Sequence, residues 1–345
     1  MNDHVALMAA GLAAVRVHSE TSYSWFGQRN PLLPKAIRAT IGPQDAREYI
    51  LYALQQQLYH YFYCPGTAVP ARNPTVVGHR LTWWTEFVGD LSAANNGTGS
   101  LEPGWRVHTI EGDHIVVERH GLHLWMKPDE VWLTHDSRPE PGVAASIRLP
   151  KELLRRSPGF YLALGNEGLP PRHTDTVIRL YWNLVAYAAP QLVSLLTTQL
   201  NAARIPFRLK VINDPERYTR CDAAVLYVPK RSYFEITDPV TNIYRELRAS
   251  LQPGTPAFTK PLAPGLGLAE DPGTGDSFGM HRCRLFAEGI MNAHDAGQRS
   301  NDERLESVAA SFTATGINCE QPYLNPGSTD SYPAAVEGPT SAVSV

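Results

Sequence analysis

Thr176-Val177-Ile178-Arg179-Leu180-Tyr181-Trp182-Asn183 and Pro206-Phe207-Arg208-Leu209-Lys210-Val211-Ile212 decide the reading of the fold. Both runs are rich in β-branched and aromatic residues, and both read as strands. The apolar periodicity of residues 189–203 predicts a helix between them. A third run, Ala223 to Val228, follows a turn at Asn213-Asp214-Pro215, and residues 239–251 again have helical spacing. Strand, helix, strand, strand, helix predicts an α+β chain in which a mixed β-sheet is flanked by helices.

Side chains alternate between the two faces of a strand. Arg208 and Lys210 therefore share one face while Phe207, Leu209 and Val211 take the other, and Arg179, Tyr181 and Asn183 are grouped in the same way. If the strands are neighbours, these cations form a basic cleft with Arg220, Lys230 and Arg231. Any one of them reads equally well as a solvated cation whose stem lies along apolar surface. The set is matched by few acids (Asp214, Glu216 and Asp222), and so predicts an anionic ligand that relieves the repulsion.

Upstream, residues 44–63 have amphipathic helical spacing between Pro43 and Pro65-Gly66, and a second helix over 82–94 ends in the glycine loop Asn95 to Gly99. The period then changes to two. Residues 105–110, 114–118 and 122–126 read as a small antiparallel meander. Arg138-Pro139-Glu140-Pro141-Gly142 marks the expected boundary. The expected organisation is an N-terminal helical and meander region over 1–145 that binds peptide or a partner, an α+β catalytic domain over 146–318, and a disordered tail over 319–345. The Pro/Gly-rich stretch 253–279 reads as a long binding loop or lid.

Composition limits the function. The 345 residues are 43% hydrophobic and 19% charged, enough for a sizeable core. Lys and Arg number 31 against 34 Asp and Glu, a formal net charge of −3, so no global polycation awaits nucleic acid or an anionic membrane. No apolar run approaches the roughly 18–20 residues of a membrane span, and Met1-Asn2-Asp3-His4 lacks a basic leader, so a cytoplasmic location is expected. Cys64, Cys221, Cys283 and Cys319 form no C-x-x-C pair and read as free thiols.

A second cluster, Gly275-Asp276-Ser277-Phe278-Gly279-Met280-His281-Arg282-Cys283-Arg284, enters a helix whose first N–H groups suit an oxyanion. It spells G-x-S-x-G, but a nucleophile elbow needs a preceding strand and here a Pro/Gly loop precedes, so a Ser277 hydrolase is a distant reading. His108, His114, His120 and His123 read as structural or surface residues; His120 and His123 fall on opposite faces, and no ligand pattern accompanies them. Walker A, kinase catalytic-loop and complete Rossmann signatures are missing, and neither a metal nor a cofactor is expected.

Phe160-Tyr161-Leu162-Ala163-Leu164-Gly165, Arg179 to Asn183, Pro206 to Lys210, Tyr218-Thr219-Arg220-Cys221-Asp222, Phe258 to Gly265 and Ser277 to Arg282 together resemble the HopA-type effector family, over about residues 70–295. Members occur as type III effectors of plant pathogens and as lyase components of class V lanthipeptide and thioamitide biosynthesis. The resemblance implies elimination of phosphate from phosphoserine or phosphothreonine of a precursor peptide, giving dehydroalanine or dehydrobutyrine after a separate phosphotransferase-like kinase has acted. The chain order is also similar to the phosphothreonine lyases of bacterial pathogens: Arg179 with Tyr181, then Lys210, Arg220, Tyr227 with Lys230, and Arg282 with Arg284. Those lyases have histidine where this chain has Tyr181, which leaves the acid open between Tyr181 and His281.

The implied chemistry assigns Lys210 as the base for the Cα proton, provided that burial and neighbouring cations lower its pKa. Arg179, Arg208, Arg220, Lys230, Lys260, Arg282 and Arg284 then grip the leaving phosphate. Trp83, Trp84 and Trp105 are expected either to be exposed and hold peptide or kinase, or to belong to the core. The competing function is a non-catalytic interaction protein whose basic face binds an acidic or phosphorylated partner.

Overall fold

The computed structural model describes residues 3–31, 33–66, 71–72, 85–134, 138–169 and 175–333. Helix α1 (Asp3–Ala14) leads into three short antiparallel strands, β1 (Val15–Ser19), β2 (Ser22–Trp25) and β3 (Gln28–Pro31). This sheet had no counterpart in the sequence reading, because four- and five-residue strands leave too few alternations to register. A short α2 (Lys35–Arg38) precedes α3 (Pro43–Leu58), and α3 ends in a π-helical turn, Tyr59–Tyr63. Helix α4 (Thr85–Ala94) follows; Trp83 and Trp84 lie outside the described residues.

The meander forms as expected and grows to five strands: β4 (Leu101–Glu111), β5 (His114–Arg119), β6 (Leu122–Met126), β7 (Val131–Leu133) and β8 (Ala144–Arg148), in the order β6-β5-β4-β8-β7. Trp105 is not a displayed aromatic. It is 2% exposed within a small core of Val107, Ile115, Val117, Ala145 and Ile147, with the Arg119 guanidinium 4.5 Å from its ring centroid. The boundary expected near residue 146 falls inside β8, so the sheet continues through it.

Seven strands form the second half's sheet: β9 (Glu152–Ser157), β10 (Phe160–Leu164), β11 (Val177–Trp182), β12 (Arg208–Ile212), β13 (Ala224–Pro229), β14 (Lys260–Ala263) and β15 (Leu266–Glu270). Their order is β14-β15-β11-β13-β12-β10-β9, and every pairing is antiparallel. The expectation of a mixed sheet is corrected here for a topological reason. Strands β11 and β12 do run in the same direction, joined by α5 (Ala189–Ala202), but β13 is inserted between them and opposes both.

Helix α6 (Tyr233–Leu247) begins earlier than the expected 239 because Pro239 sits inside it rather than at its start. The stretch 253–279 is not a structureless lid: β14 and β15 form an edge hairpin within it. Helices α7 (Phe278–Asp295) and α8 (Asn301–Thr313) close the other side, where Phe62, Phe258, Phe286 and Phe312 pack with ring centroids 5.3–6.2 Å apart. Burying each such ring contributes about 1.5–3 kcal/mol.

The tail expected to be disordered from 319 is ordered through 333. Tyr323, Leu324 and Tyr332 are buried, and the segment is clasped by Glu270, itself fully buried. The Glu270 carboxylate accepts from Lys230 Nζ (2.6 Å), Tyr332 Oη (2.6 Å) and Asn325 N–H (2.8 Å). Lys260 Nζ adds Asp330 and the Tyr332 carbonyl. Few apolar residues in 319–333 pack, and what holds the segment are polar partners distant in sequence, so periodicity carried no trace of it. Residues 334–345 lie outside the described residues.

Burial alone would raise the Glu270 carboxyl, but the hydrogen bonds from Lys230, Tyr332 and Asn325 outweigh it and hold the group below its ordinary value. The clasp therefore stabilises fully above the ordinary carboxylate pKa and is lost as pH falls through the depressed folded value. Glu270→Ala strands a half-buried ammonium and a buried hydroxyl, and should cost roughly 1–3 kcal/mol in urea unfolding. Limited proteolysis should cut 319–333 of the variant at neutral pH and of the parent only in acid; a parent-like cleavage pattern in the variant contradicts the clasp.

Candidate functional site

Pairing across β11, β13 and β12 fixes the site. Arg179 lies opposite Tyr227, and Tyr227 lies opposite Arg208; one row further, Tyr181 lies opposite Val225, and Val225 opposite Lys210. Paired residues of an antiparallel sheet share a face, so Arg179, Tyr181, Arg208 and Lys210 all project to one side. The inference from alternation holds, with β13 as an unforeseen spacer. At about 4.8 Å per strand, the cation-bearing strands stand roughly 10 Å apart.

Tyr227 separates the two arginines. Its ring centroid is 5.2 Å from the Arg179 guanidinium and 4.5 Å from that of Arg208, so one π-face system serves both cations. Arg179 is also anchored by Asp271, which accepts from Nε (2.9 Å) and Nη2 (2.6 Å). Burial works against its charge, but Tyr227, Tyr181 and Asp271 together raise its pKa further. The guanidinium is a fixed cation.

Lys210 is unlike it. Among the described residues no carboxylate bonds its ammonium, and its nearest partner is the Phe160 ring, with the centroid 3.7 Å from Nζ. Burial, then repulsion from Arg220, Arg179 and Arg208 against the attraction of Asp222, lowers its pKa to about 8. Arg220 is bound to Asp222 by both ends of its fork and donates to Tyr59 Oη at 2.7 Å. Asp222 thereby spends itself largely on Arg220 and leaves Lys210 without a direct counter-ion.

Tyr181 is fully buried, and burial raises its pKa, so the phenol is protonated at neutral pH. Among the described residues no hydrogen bond of good geometry reaches its Oη, although Tyr63 and Arg179 lie near enough to bias its titration. A buried hydroxyl without a partner is an unmet demand at the centre of the site. Around it is a cavity of about 60 Å³ walled by Tyr59, Tyr63, Phe160, Asp222, Val225, Tyr227 and Ser277 besides Arg179, Tyr181 and Lys210. That is far below the ~300–1,000 Å³ that accepts a drug-sized ligand. A small charged group fits it better.

Two walls were missed in the sequence. Tyr59 and Tyr63 stack at 5.3 Å with a 17° tilt, on the π-helical turn closed by Cys64 N–H to the Tyr59 carbonyl (2.9 Å). Such turns are a recurrent feature of functional sites; the available signal was the aromatic cluster Tyr59-His60-Tyr61-Phe62-Tyr63 at a helix end. Gly279 permits the approach, since a Cβ there would lie 2.4–2.7 Å from the Tyr63 ring. Ser277 caps α7 by accepting from Met280 N–H, and the strand β15 ends seven residues before it, so it is not set on a strand-to-helix elbow.

The remaining predicted residues have their hydrogen-bond and ion-pair partners elsewhere, although Arg282 lies near enough to Tyr181 and Arg179 to interact with them electrostatically. Lys230 and Lys260 hold the C-terminal segment. Arg282, fully buried, donates to the carbonyls of Pro322 (2.7 Å) and Leu324 (2.9 Å) and contacts His281 Nδ1 at 2.8 Å. Arg284 faces outward to Glu288 and Glu48. His281 is driven down to about 4 by burial and by Arg282, so it is neutral at pH 7. His108 and His123 pack ring to ring at 4.4 Å, and no group of three or more metal-ligating side chains occurs among the described residues.

Residues 152–324 match the HopA1 effector protein family. Among solved structures, the chain is similar to the effector protein from Pseudomonas syringae pv. tomato strain DC3000, with a TM-score of 0.45 and 16% identity over 81% of this chain and 90% of that one. It is also similar to the effector protein from Pseudomonas syringae pv. syringae strain 61, with a TM-score of 0.43 and 15% identity over 80% and 97%. No curated protein matches the chain. No helix among the described residues is long and apolar enough to cross a membrane.

The depressed Lys210 pKa is also a statement about stability. Between about 8 and the ordinary lysine value the unfolded chain binds the extra proton, so stability rises with pH across that window, and below it the cost of the buried charge is fully present. Lys210→Met should therefore raise the urea midpoint at pH 7 by an amount worth roughly 1–3 kcal/mol, with the gain shrinking by pH 10. A destabilised variant at pH 7 would mean that the charge is well solvated or paired.

Proposed function

The chain belongs to the HopA1 effector protein family, and on the geometry of its basic pocket we propose that it is a phosphopeptide lyase. It removes phosphate from phosphoserine or phosphothreonine of a precursor peptide, leaving dehydroalanine or dehydrobutyrine, after a separate phosphotransferase-like kinase has installed it. The observation that carries this reading is the pairing of two oppositely tuned groups on one row of the sheet. Lys210 is made easier to deprotonate and Tyr181 harder, and Val225 alone stands between them. Groups pushed apart in this way suit a base and an acid.

In the proposed reaction, neutral Lys210 takes the Cα proton, the electron pair forms the Cα=Cβ bond, and the Cβ–O bond breaks towards the phosphate. Tyr181 gives a proton to the departing bridging oxygen, and the proton held by Lys210 restores it. Arg179 and Arg208, fixed against Tyr227, meet the charge that grows on the phosphate. Arg220 acts one step back, by occupying Asp222. Tyr181 is favoured over His281 as the acid because a histidine already neutral at pH 7 has no imidazolium proton to give. Maturation of a lanthipeptide or thioamitide precursor is the setting that the family resemblance supports.

Incubating the purified protein with phosphothreonine and phosphoserine peptides should remove about 98 Da, phosphoric acid, from the peptide mass. Lys210→Ala should abolish turnover while phosphopeptide binding persists, and Tyr181→Phe should slow it about 10²–10⁴-fold. The rate should climb as pH approaches 8, because the base works only when neutral. Loss of about 80 Da would mean hydrolysis; binding without any mass change, kinase and cognate peptide supplied, would leave an anion-binding interaction protein.

A further inference from the structure

Away from the reaction pocket, the C-terminal end of α7 faces strand β1 across a cleft of about 490 Å³. Arg16 and His18 come from β1, His294 from α7, Gln298 and Arg299 from the following turn, and Arg304 from α8. Val17 and Ile290 make its apolar floor. Among the described residues, none of these three arginines pairs with a carboxylate. Two nearby acids have other partners: the Glu303 carboxylate accepts from Ser300 in the capping box and from the backbone N–H of Arg299, and Asp295 pairs with Arg47. Burial and the facing Arg16 charge hold the Arg304 guanidinium below its ordinary pKa. Such a cluster is repulsive until an anion enters.

We infer that this cleft docks an acidic stretch of the peptide substrate, at a distance from the phosphorylated residue. The assignment rests on the lyase reading for the identity of the ligand, though not for the chemistry of the cleft. Its volume falls in the range that accepts several residues rather than one ion. Single-stranded nucleic acid would call for broad Phe, Tyr or Trp platforms for its bases, and among the described residues the only rings that line the cleft are the imidazoles of His18 and His294. Helix α7 sets the spacing. Ser277 walls the reaction pocket and His294 walls the cleft, 17 residues on, or about 25 Å at 1.5 Å per residue. An extended peptide covers that distance in about eight residues, so the acidic stretch lies at least that far from the eliminated phosphate.

Fluorescence anisotropy with a labelled hexaglutamate peptide at low salt tests the cleft without any turnover. Arg16 and Arg299 are exposed, so the R16E/R299E double variant should fold; it should bind at least about tenfold more weakly, while K210M binds like the parent. No binding by the parent, equal binding by R16E/R299E, loss in K210M, or tighter binding of a short single-stranded RNA each overturns the assignment. In turnover, a phosphothreonine peptide with the acidic tract twelve residues away should show a KM about tenfold lower than one with the tract three residues away. R16E/R299E should erase that difference with kcat unchanged; equal KM values in the parent refute the docking role. If no peptide is eliminated at all, the lyase reading fails, and the anisotropy result still decides the cleft.

Discussion

Strand β13 lies between the two strands that carry the cations, and the character of the site follows from that interposition. Were β11 and β12 direct neighbours, Arg179 and Arg208 would face each other at under 6 Å across the sheet, an arrangement that like charges resist. With β13 between them, Tyr227 offers its ring to both, and Val225 leaves a gap between Tyr181 and Lys210. The same insertion makes the sheet antiparallel throughout, because a strand that opposes both flanking strands removes the one parallel contact that the β11–α5–β12 crossover would otherwise create.

Charge in this half of the molecule is distributed by partner. Arg179 and Arg220 are anchored by Asp271 and Asp222 and stay cationic; Lys210 has no such anchor among the described residues and is the group whose proton is loosely held. A single buried carboxylate, Glu270, draws Lys230 to the C-terminal segment, and Arg282 is drawn there by backbone carbonyls. The family match ends at residue 324, after the Pro322 and Leu324 carbonyls that Arg282 grips. The clasp and the pocket meet at β15 and its exit, where Glu270 and Asp271 are consecutive. One holds the tail, the other holds Arg179.

Much of this was legible in the sequence. The alternation of Arg208 with Leu209 and Lys210 with Val211, and of Arg179 with Leu180, announced both the strands and their cationic face, because period two needs no tertiary context. The resemblance supplied Lys210 as the base and left the acid open between Tyr181 and His281. What periodicity could not supply was the order of strands, since β13 follows β12 in the chain yet lies before it in the sheet. Nor could it show which cations were already committed: Arg282 and Lys260 look no different in sequence from Arg208, and only the folded tail distinguishes them. Tyr59 and Tyr63 were hidden because a π-helical turn breaks the spacing by which helical faces are read.

The account depends on Lys210 being a lysine that gives up its proton near neutrality. The chain contains six lysines, few enough to resolve in a carbon NMR titration of protein labelled at lysine Cε, with the Lys210 signal assigned by its absence from Lys210→Met. One resonance should titrate with a midpoint near 8, and should move upward when phosphate is added, because a bound dianion favours the ammonium. A Lys210 resonance that titrates at the ordinary lysine value would contradict the proposed base and the electrostatic design of the pocket together.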